Sequence, residues 1–276
     1  MTHDPALIAE LVETAKSLAR EAGQLIIEGR SAAEVTATKS SSVDIVTQMD
    51  LAAESLLRER IAQLRPHDGI LGEEGNDVAG TSGITWVIDP IDGTVNYLYG
   101  LPHFAVSVAA VWGPATTTQW TTLAGAIFDG SGRLWSAGMG MGADCDGRRL
   151  ERGDGAPLSR SLVGTGFQYV AERRALQGEV VAKLLPHVRD IRRLGAAAVD
   201  LCLVAAGQLD AYYEHGLNAW DIAAGTLIAS EAGMKVAGKH GGPATEGLII
   251  AAAPNVWDEL HKLLTAAGAL DLFDAR

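Results

Sequence analysis

The string WVIDPIDGTVNYLYG combines two carboxylates, Asp89 and Asp92, with a glycine and a threonine directly after an apolar run. Asp89 ends that run, and the following proline forbids its regular continuation, so a turn or helix start is predicted next. Both carboxylates and the Ile91 carbonyl between them are hard oxygen ligands for neighbouring divalent cations. The amides of Gly93 and Thr94 could bind a phosphate at the positive end of a helix. The complete string favours a functional site over a capped turn.

A second pair of carboxylates, Glu73 and Glu74, follows a short apolar run in GILGEEG. Adjacent residues of an extended chain point to opposite sides, so one of them at most faces a given site unless the strand turns there. Taken alone, such a pair is typical of a solvated turn.

Two further segments, in the second half of the chain, carry polar groups at predicted element ends. In DAYYEHGLNAWDIAAG a strand delivers Glu214, and Asp221 opens a helix with small residues. Aspartate at a helix start is usually an N-cap. In RRLGAAA the backbone amides at 195–197 could contact substrate hydroxyls, although tight packing explains this glycine and these alanines equally well.

The elements that must position these residues begin with two helices. Apolar residues at three- and four-residue steps predict a long amphipathic helix up to Gly29. Residues 36 to 43 are predicted to form a polar loop. Thr47 and Asp50 form a capping pattern ahead of a second helix that ends near Leu64. The β-rich segments GILGEE, ITWVID, FAVSVAAVW, TLAGAIF and RLWSAG then predict a largely antiparallel sheet against these helices.

Strands and helices alternate after Pro157. The predicted strands are LVGTGF, DIRRL, DAYYE and GLIIAAA, and the predicted helices lie near 171–185, 196–206, 220–232 and 255–267. We therefore predict an α/β protein with a mixed α+β N-terminal lobe over residues 1–157 and an α/β C-terminal lobe over residues 158–276. The sequence has no low-complexity linker between the lobes, which are expected to pack tightly as one unit.

Composition excludes several classes of protein. The 276 residues include 34 acidic and 22 basic side chains, a formal net charge of −12, which argues against direct binding of nucleic-acid phosphates. Bound cations would still let an acidic protein bind an anionic substrate. The charge-free stretch from Gly93 to Phe128 is broken by glycine and proline, which predicts buried strands and no membrane span. Charged residues interrupt the N-terminal apolar positions, so a signal-peptide core is not expected there. Cys145 and Cys202 have neither disulfide-framework nor metal-site spacing, and a reduced, cytoplasmic setting is expected.

Taken together and in this order, the Glu-Glu pair, D-P-x-D-G-T-x-N, R-x-x-G-(small)-A-A and W-D-x-A-A-G resemble the motifs of the inositol monophosphatase family. The similarity extends from Lys39 and VDIVTQMD through SEAG at 230–233 to the final helix. Members of this family are magnesium-dependent, lithium-sensitive phosphatases. The resemblance implies a layered αβαβα sandwich of the inositol monophosphatase and fructose-1,6-bisphosphatase type.

The resemblance also implies a set of metal ligands. Glu73, Asp89 and the Ile91 carbonyl would hold one Mg²⁺, while Asp89, Asp92 and Asp221 would hold a second. Glu74 would support this cluster or bind a weaker third ion, so that each site holds two to three ions. Two neighbouring metals bind phosphate oxygens, activate a water and stabilise the leaving alkoxide.

Catalytic and substrate-binding roles follow from the same resemblance. Thr94, paired with Asp50, would orient or deprotonate the attacking water, with Glu73 as the third catalytic residue. The implied substrate-binding residues are Asp92, Gly93, Thr94, Gly195, Ala196, Ala197, Glu214 and Asp221. Ala196 replaces a polar residue of some relatives, which removes one hydrogen bond to the alcohol. Lys39 matches a mobile family loop near the metals, and a solvated lysine explains it equally well.

Other phosphate-handling signatures fit poorly. Asp89 and Asp92 have two residues between them, whereas haloacid dehalogenase-type phosphatases need D-x-D, so a phosphoaspartate intermediate is not expected. The run from Gly233 to Lys239 nearly matches a P-loop, but His240 stands where Ser or Thr should bind magnesium. We interpret this run as a chance turn.

The substrate and the partners follow from the family resemblance. A carboxylate at Glu214 accepts hydrogen bonds from sugar-like hydroxyls, which places inositol monophosphate first among the substrates. Histidinol phosphate, fructose 1,6-bisphosphate and adenosine 3′,5′-bisphosphate remain alternatives. A binding partner of transcription machinery is an alternative of another class. A homodimer that acts on a small phosphorylated polyol, away from membranes and nucleic acid, is expected.

Overall fold

Helices and sheets stack in five alternating layers in the computed structural model, which describes residues 4–39, 45–113 and 119–273. The α-helices of these residues are α1 (Pro5–Gly29), α2 (Gln48–Leu64), α3 (Thr94–Leu98), α4 (Ala171–Leu184), α5 (Ala197–Ala205), α6 (Ala219–Glu231) and α7 (Pro254–Ala267). The order of the layers is α1 and α2, a large sheet, α5 and α6, a smaller sheet, and finally α7 with α4. The predicted αβαβα sandwich is confirmed.

The large sheet has seven strands in sequence order. They are β3 (Gly69–Gly72), β4 (Ile84–Asp92), β5 (Ala105–Trp112), β6 (Thr121–Asp129), β7 (Leu134–Gly138), β8 (Gly142–Cys145) and β9 (Arg148–Leu150). All neighbours pair antiparallel except β3 and β4. Because helices cover both faces, β5 is almost entirely buried and reads as a continuous apolar run. The charge-free stretch of the sequence is explained in this way, apart from residues 114–118, which lie outside the described residues.

The smaller sheet has the strand order β11-β10-β12-β14-β13. Its strands are β10 (Leu162–Thr165), β11 (Asp190–Arg192), β12 (Ala211–Glu214), β13 (Lys235–Ala237) and β14 (Ile249–Ala252). β10 pairs parallel with both β11 and β12, whereas β14 pairs antiparallel with β12 and β13. The carboxyl ends of β10 and β12 therefore meet at one edge, which is where Glu214 lies.

The helices of the middle layer carry small residues among their buried positions. All nine residues of α5 are buried, and α6 carries Ala223, Ala224 and Gly225 on its packed surface. One hydrophobic core joins this layer to both sheets, and a second core lies between the large sheet and α1 and α2. The lobe boundary at residue 157 stays a prediction, because side chains from both sides of it share the first core.

Most predicted elements are present, and the predicted helix ends in the second half lie within one residue of the observed ones. The strands predicted at LVGTGF, DIRRL and GLIIAAA are each shorter than expected. The short strands β8, β9 and β13 were not predicted, since each has only three or four residues. Among the described residues, no helix is both long and apolar enough to cross a membrane.

Two expectations were wrong. Part of the predicted polar loop is a strand, β1 (Val35–Thr38), which pairs antiparallel with β2 (Ile45–Thr47). Every residue of β1 is exposed, so no alternation of apolar and polar side chains reveals it; residues 40–44 of that loop lie outside the described residues. In addition, β4 does not end at Asp89 but continues through the proline to Asp92. A register shift between Asp89 and Asp92 accommodates the proline, which has no N–H to donate.

Candidate active site

A cavity of about 630 Å³ brings together the end of β4, the start of α6 and the carboxyl end of β12. We call its carboxylates, Glu73, Asp89, Asp92 and Asp221, the acidic half. The loop half consists of residues 193–197, which lead into α5, together with Glu214. The predicted site residues therefore converge on one cavity, with Asp50 and Glu74 behind its lining.

The irregularity in β4 explains why Asp89 and Asp92 face the same cavity. In a regular strand, residues three apart point to opposite faces. The register shift between them reverses this alternation. Carboxylate oxygens of Asp89, Asp92 and Asp221 all lie within 4.8 Å of one another. Asp89 is only 1% exposed, and its Oδ1 accepts a 3.0 Å hydrogen bond from the backbone N–H of Ile91.

Glu73 and Glu74 lie in a bend, because β3 ends at Gly72. Both carboxylates accept hydrogen bonds from Nζ of Lys39, at 2.7 Å for Glu73 and 2.5 Å for Glu74. Their side chains are 18% and 8% exposed, so the interpretation of this pair as a solvated turn was wrong. Glu73 also lies within hydrogen-bonding range of Asp89, whereas Glu74 does not line the cavity. Lys39 is thus paired with both carboxylates while its side chain remains 29% exposed, and its place in a mobile loop stays a prediction.

An ion pair on α2, between the buried Glu54 and the partly buried Arg58, holds this bend. The Glu54 carboxylate accepts hydrogen bonds from the backbone N–H groups of Glu74 at 2.8 Å and Gly75 at 2.7 Å. Arg58 Nε donates to the same carboxylate at 2.8 Å, and its Nη1 donates to the Asn76 carbonyl. Sequence reasoning missed both residues, because neither belongs to a motif of carboxylates near the cavity.

Thr94 links the cavity to the capping box of α2, which is confirmed. Asp50 Oδ2 accepts from the backbone N–H of Thr47 at 2.8 Å, while Oδ1 lies 3.1 Å from the Thr94 hydroxyl. That hydroxyl also lies 3.0 Å from the Ile91 carbonyl, and it has one proton to donate to either acceptor. Asp50 is fully buried and does not line the cavity. The hydrogen bond that connects Asp50 to the cavity lining is the one with Thr94.

Gly93 precedes α3, and its backbone conformation and close neighbours require glycine at this position. Its φ of 88° lies in the left-handed region, which side chains with a Cβ rarely adopt. A Cβ at this position would lie 2.9 Å from the His103 carbonyl oxygen and 3.1 Å from the Gly195 carbonyl oxygen. The predicted helix start after this glycine is confirmed, and Gly93 and Thr94 both line the cavity.

Hydrogen bonds fix the two carboxylates contributed by the second half of the chain. The Tyr212 hydroxyl donates to Oε2 of Glu214. Oδ2 of Asp221 accepts from the backbone N–H of Asn218 at 2.6 Å, because Asn218 is the N-cap of α6 and Asp221 its third residue. Asp221 therefore completes the capping box of α6 from its third residue, while Asn218 is the N-cap, and the predicted place of Asp221 at the helix start is confirmed.

Burial and mutual repulsion perturb the acidic half. Burial, opposed in part by Lys39 and reinforced by the charge of Asp221, raises the pKa of Glu73 to about 7. Burial also raises the pKa of Asp221 to about 6 and those of Asp89 and Asp92 well above their ordinary range, with the neighbouring carboxylates adding to the last two. The pKa of Lys39 is raised as well, because the negative charges of Glu73 and Glu74 outweigh burial, which would lower it. The acidic half thus holds more negative charge than its surroundings neutralise.

The donor set of the acidic half fits divalent cations. It consists of carboxylate oxygens and a nearby backbone carbonyl, which are the ligands that Mg²⁺ and similar hard ions prefer. Two or three such ions would offset the repulsion and leave a site that attracts a phosphate dianion.

Several residues that line the cavity were not predicted. They are Ile45, Phe167, Gln168, Tyr169, Val170, Arg173, Arg193, Gly216, Leu217, Asn218 and Trp220. The group from Phe167 to Val170 follows β10, so the rule that ligands bind beyond the carboxyl ends of parallel strands could have found it. Arg193 lowers the pKa of Glu214, which burial raises to about 7, and it is a cation of the loop half.

Comparison with known proteins places the chain in a family. Residues 7–269 match the model of the inositol monophosphatase family. The chain belongs to the inositol monophosphatase family. It is therefore a phosphatase, and the family is metal-dependent, in agreement with the oxygen donors of the acidic half.

Individual relatives agree with this assignment. The chain is 50% identical over 244 residues to the protein named inositol-1-monophosphatase SuhB from Mycobacterium tuberculosis, a match that covers 84% of this chain and 82% of the relative. A solved structure of Mycobacterium tuberculosis SuhB superimposes with a TM-score of 0.81 at 44% identity, over 95% of this chain and 98% of that one. The protein named Nus factor SuhB from Escherichia coli K12 is 37% identical over 252 residues, which cover 89% of this chain and 92% of the relative.

Proposed function

We propose that this phosphatase hydrolyses inositol 1-phosphate to inositol and phosphate by direct attack of water. The observation that carries the proposal is that the oxygen-rich acidic half shares one cavity with Gly195, Ala196, Ala197 and the Glu214 carboxylate. An inositol ring carries hydroxyls on every side, so one carboxylate and several amides are suitable partners for it. The relatives at 50% identity bear the name inositol-1-monophosphatase.

The residues of the chain divide the work as follows. The Thr94 hydroxyl orients the attacking water. Asp50 holds that hydroxyl in place by accepting a hydrogen bond from it. The amides of Gly93 and Thr94 bind phosphate oxygens. Glu214 and the backbone of Gly195, Ala196 and Ala197 receive hydroxyls of the alcohol.

Two to three Mg²⁺ ions are the proposed cofactors. Glu73, Asp89, Asp92 and Asp221 would hold them, together with the Ile91 carbonyl, and Glu74 would take part through a weaker third site. When bound, Mg²⁺ supplies positive charge to the phosphate, acidity to the attacking water and stabilisation to the leaving alkoxide. We propose that Li⁺ inhibits by competing for the same oxygen ligands.

The experiment is phosphate release from inositol 1-phosphate, histidinol phosphate, fructose 1,6-bisphosphate and adenosine 3′,5′-bisphosphate, with and without Mg²⁺. We expect release only with Mg²⁺ and fastest from inositol 1-phosphate. Faster release from another compound would overturn the substrate while leaving the metal site in place. Full turnover after exhaustive chelation would overturn the proposed mechanism.

A second candidate is a role as a partner of transcription machinery, which the name Nus factor of the Escherichia coli relative favours. The test is an Asp221→Asn protein in the cell of origin. Full biological function of this variant, together with its co-purification with RNA polymerase factors, would favour the partner role. Loss of function would favour catalysis, because the change alters the acidic half and leaves the outer surface intact.

The remaining proposals concern the setting. We propose a homodimer, which sedimentation analysis tests, and a reducing cytoplasmic location. Both Cys145 and Cys202 are free thiols, as expected for a reducing compartment.

A further inference from the structure

Asn96 connects the two halves of the cavity through a single side-chain nitrogen. It lies in α3, shortly after Gly93 and Thr94, and is 7% exposed. Its Nδ2 donates to the His103 carbonyl at 2.7 Å and to the carbonyls of Leu194 at 2.8 Å and Gly195 at 3.3 Å. The carboxamide has two N–H groups, so three acceptors share them. One buried amide thus ties α3 to the loop half.

The α3 side of this connection is anchored independently. Arg30, directly after α1, donates from Nε to the Tyr97 carbonyl at 3.0 Å and from Nη2 to the Asn96 carbonyl at 3.1 Å. The Tyr97 hydroxyl donates to the Ile26 carbonyl at 2.6 Å, and Thr94 contacts Asp50. The backbone of α3 therefore keeps its place without the Asn96 side chain.

The loop side has fewer anchors. Within the described part of the chain, side-chain hydrogen bonds to the backbone of residues 194–198 come from Asn96 and from Asp92, whose Oδ2 accepts from the Ala198 N–H at 2.7 Å. Asp92 acts at Ala198 in the first turn of α5, beyond Gly195, Ala196 and Ala197, which line the cavity. Removal of the Asn96 carboxamide would consequently release the carbonyls of His103, Leu194 and Gly195 and leave α3 in place.

We propose that Asn96 is a positioning residue, which sets the loop half against the acidic half and thereby makes the enzyme prefer polyol phosphates over phosphomonoesters without a polyol. The inference rests on the proposed function and deepens it. A phosphate group uses the acidic half and the amides of Gly93 and Thr94, whereas the alcohol also needs residues 195–197. A displacement of that loop by less than the length of a hydrogen bond would weaken its contacts with the alcohol. The contacts with the phosphate group would stay unchanged.

The test compares inositol 1-phosphate with p-nitrophenyl phosphate in the Asn96→Ala protein at saturating Mg²⁺. We expect the ratio of the two kcat/KM values to fall about tenfold, with a rise in KM for inositol 1-phosphate. Because the same folded molecules hydrolyse both substrates, a partly unfolded preparation leaves this ratio unchanged. Equal losses on both substrates would overturn the proposal.

Two further variants separate hydrogen bonding from packing and from general stability. Asn96→Asp keeps the size of the side chain and replaces the donor with an acceptor, so it should lower the ratio at least as much as alanine does. A wild-type ratio in this variant would overturn the proposal. The matched control is Asn255→Ala, since Asn255 also bridges two segments through its amide, with bonds of 2.8 and 2.9 Å to Gly155, far from the cavity. Its ratio should equal that of the wild type.

Failure of the proposed function is a separate result. If the wild type hydrolyses another polyol phosphate of the panel faster, such as fructose 1,6-bisphosphate, that compound replaces inositol 1-phosphate in the ratio. A tenfold fall would then support the role of Asn96 although the proposed substrate had failed. An unchanged ratio would overturn the role of Asn96 with either substrate.

Discussion

The two halves of the cavity differ in the number of like charges that they hold. In the acidic half, Glu73, Asp89, Asp92 and Asp221 repel one another in a buried setting. The loop half contains one carboxylate, Glu214, which accepts from Tyr212 and whose pKa burial also raises to about 7, and its Leu194 carbonyl accepts from Asn96. The acidic half would therefore gain most from added cations, whereas the backbone of the loop half is held by a hydrogen bond within the chain. The difference indicates that the proposed metal ligands depend on charge neutralisation and the proposed alcohol-binding backbone on hydrogen bonding.

The largest effect is expected for Asp89→Asn, which removes one charge from the acidic half. We expect kcat to fall by about three orders of magnitude or more, because a buried ligand of the acidic half becomes a neutral amide. In metal-free protein the same change should raise the melting temperature above pH 7, since one of several like charges is removed. Phosphate release and calorimetry measure the two effects.

Asp258→Asn is the control for this substitution, because Asp258 lies on the surface, where it is 73% exposed and pairs with Lys235. It should leave both activity and melting temperature close to wild type. Activity of Asp89→Asn within tenfold of wild type would contradict the proposed ligand set.

Thr94→Ala tests whether Asp50 acts only through Thr94. We expect kcat to fall about a hundredfold, a similar fall for Asp50→Asn, and little further loss in the double variant, because the two groups form one hydrogen-bonded unit. Thr94→Ser keeps the hydroxyl and should restore most of the activity. Multiplied losses in the double variant would show that Asp50 has a separate role.

Glu214→Gln tests the loop half. The neutral side chain still accepts the Tyr212 hydrogen bond, so the fold should persist. We expect KM for inositol 1-phosphate to rise about tenfold and hydrolysis of p-nitrophenyl phosphate to change little. Glu179→Gln on the exposed face of α4 is the control. Equal effects on both substrates would place Glu214 among the groups that serve the phosphate.

The smallest expected effect is the pH dependence of stability in metal-free protein. The pKa of Glu73 is raised to about 7 and that of Asp221 to about 6. The folded chain therefore binds more protons than the unfolded chain in this range, and its stability must fall as pH rises from about 4.5 through about 7. Thermal unfolding in the presence of a chelator measures this slope.

Glu73→Gln removes one of these groups and should flatten the slope. His215, whose pKa burial lowers, is present in both proteins, so it cancels from the difference between them. Identical slopes for the two proteins would show that the acidic half is not under electrostatic strain.

Sequence alone predicted the elements and motifs that local patterns define. The capping box at Thr47 and Asp50, the helix start after Gly93 and the position of Glu214 at a strand end each depend on neighbours in the chain. Local rules failed for β4, where a proline interrupts the pairing without ending the strand. They failed because a register shift depends on the partner strand β5, which no local pattern describes.

Contacts between distant segments were beyond the reach of sequence reasoning. The Lys39 ammonium meets Glu73 and Glu74 across more than thirty positions, and Asn96 meets Gly195 across 99. Arg193 and the residues after β10 line the cavity only because β10 lies beside β12. The metal roles of the carboxylates remain predictions, which the variants above test. The lobe boundary also remains a prediction.

The close packing of the middle layer affects the positions of the groups that line the cavity. A Cβ on Gly125 of β6 would lie 3.0 Å from Cα of Ala224, and one on Gly225 would lie 2.6 Å from Cδ1 of Leu201. The backbones of β6 and α6 are thus almost in direct contact at Ala224, whereas the side chain of Leu201 from α5 packs directly over Gly225. Asp221 at the start of α6 and Ala197 at the start of α5 both belong to this layer, while Asp92 lies in the large sheet and Glu214 in the smaller one. An added methyl group at Gly225 would force α5 and α6 to shift, so we expect overpacking there to move groups that line the cavity.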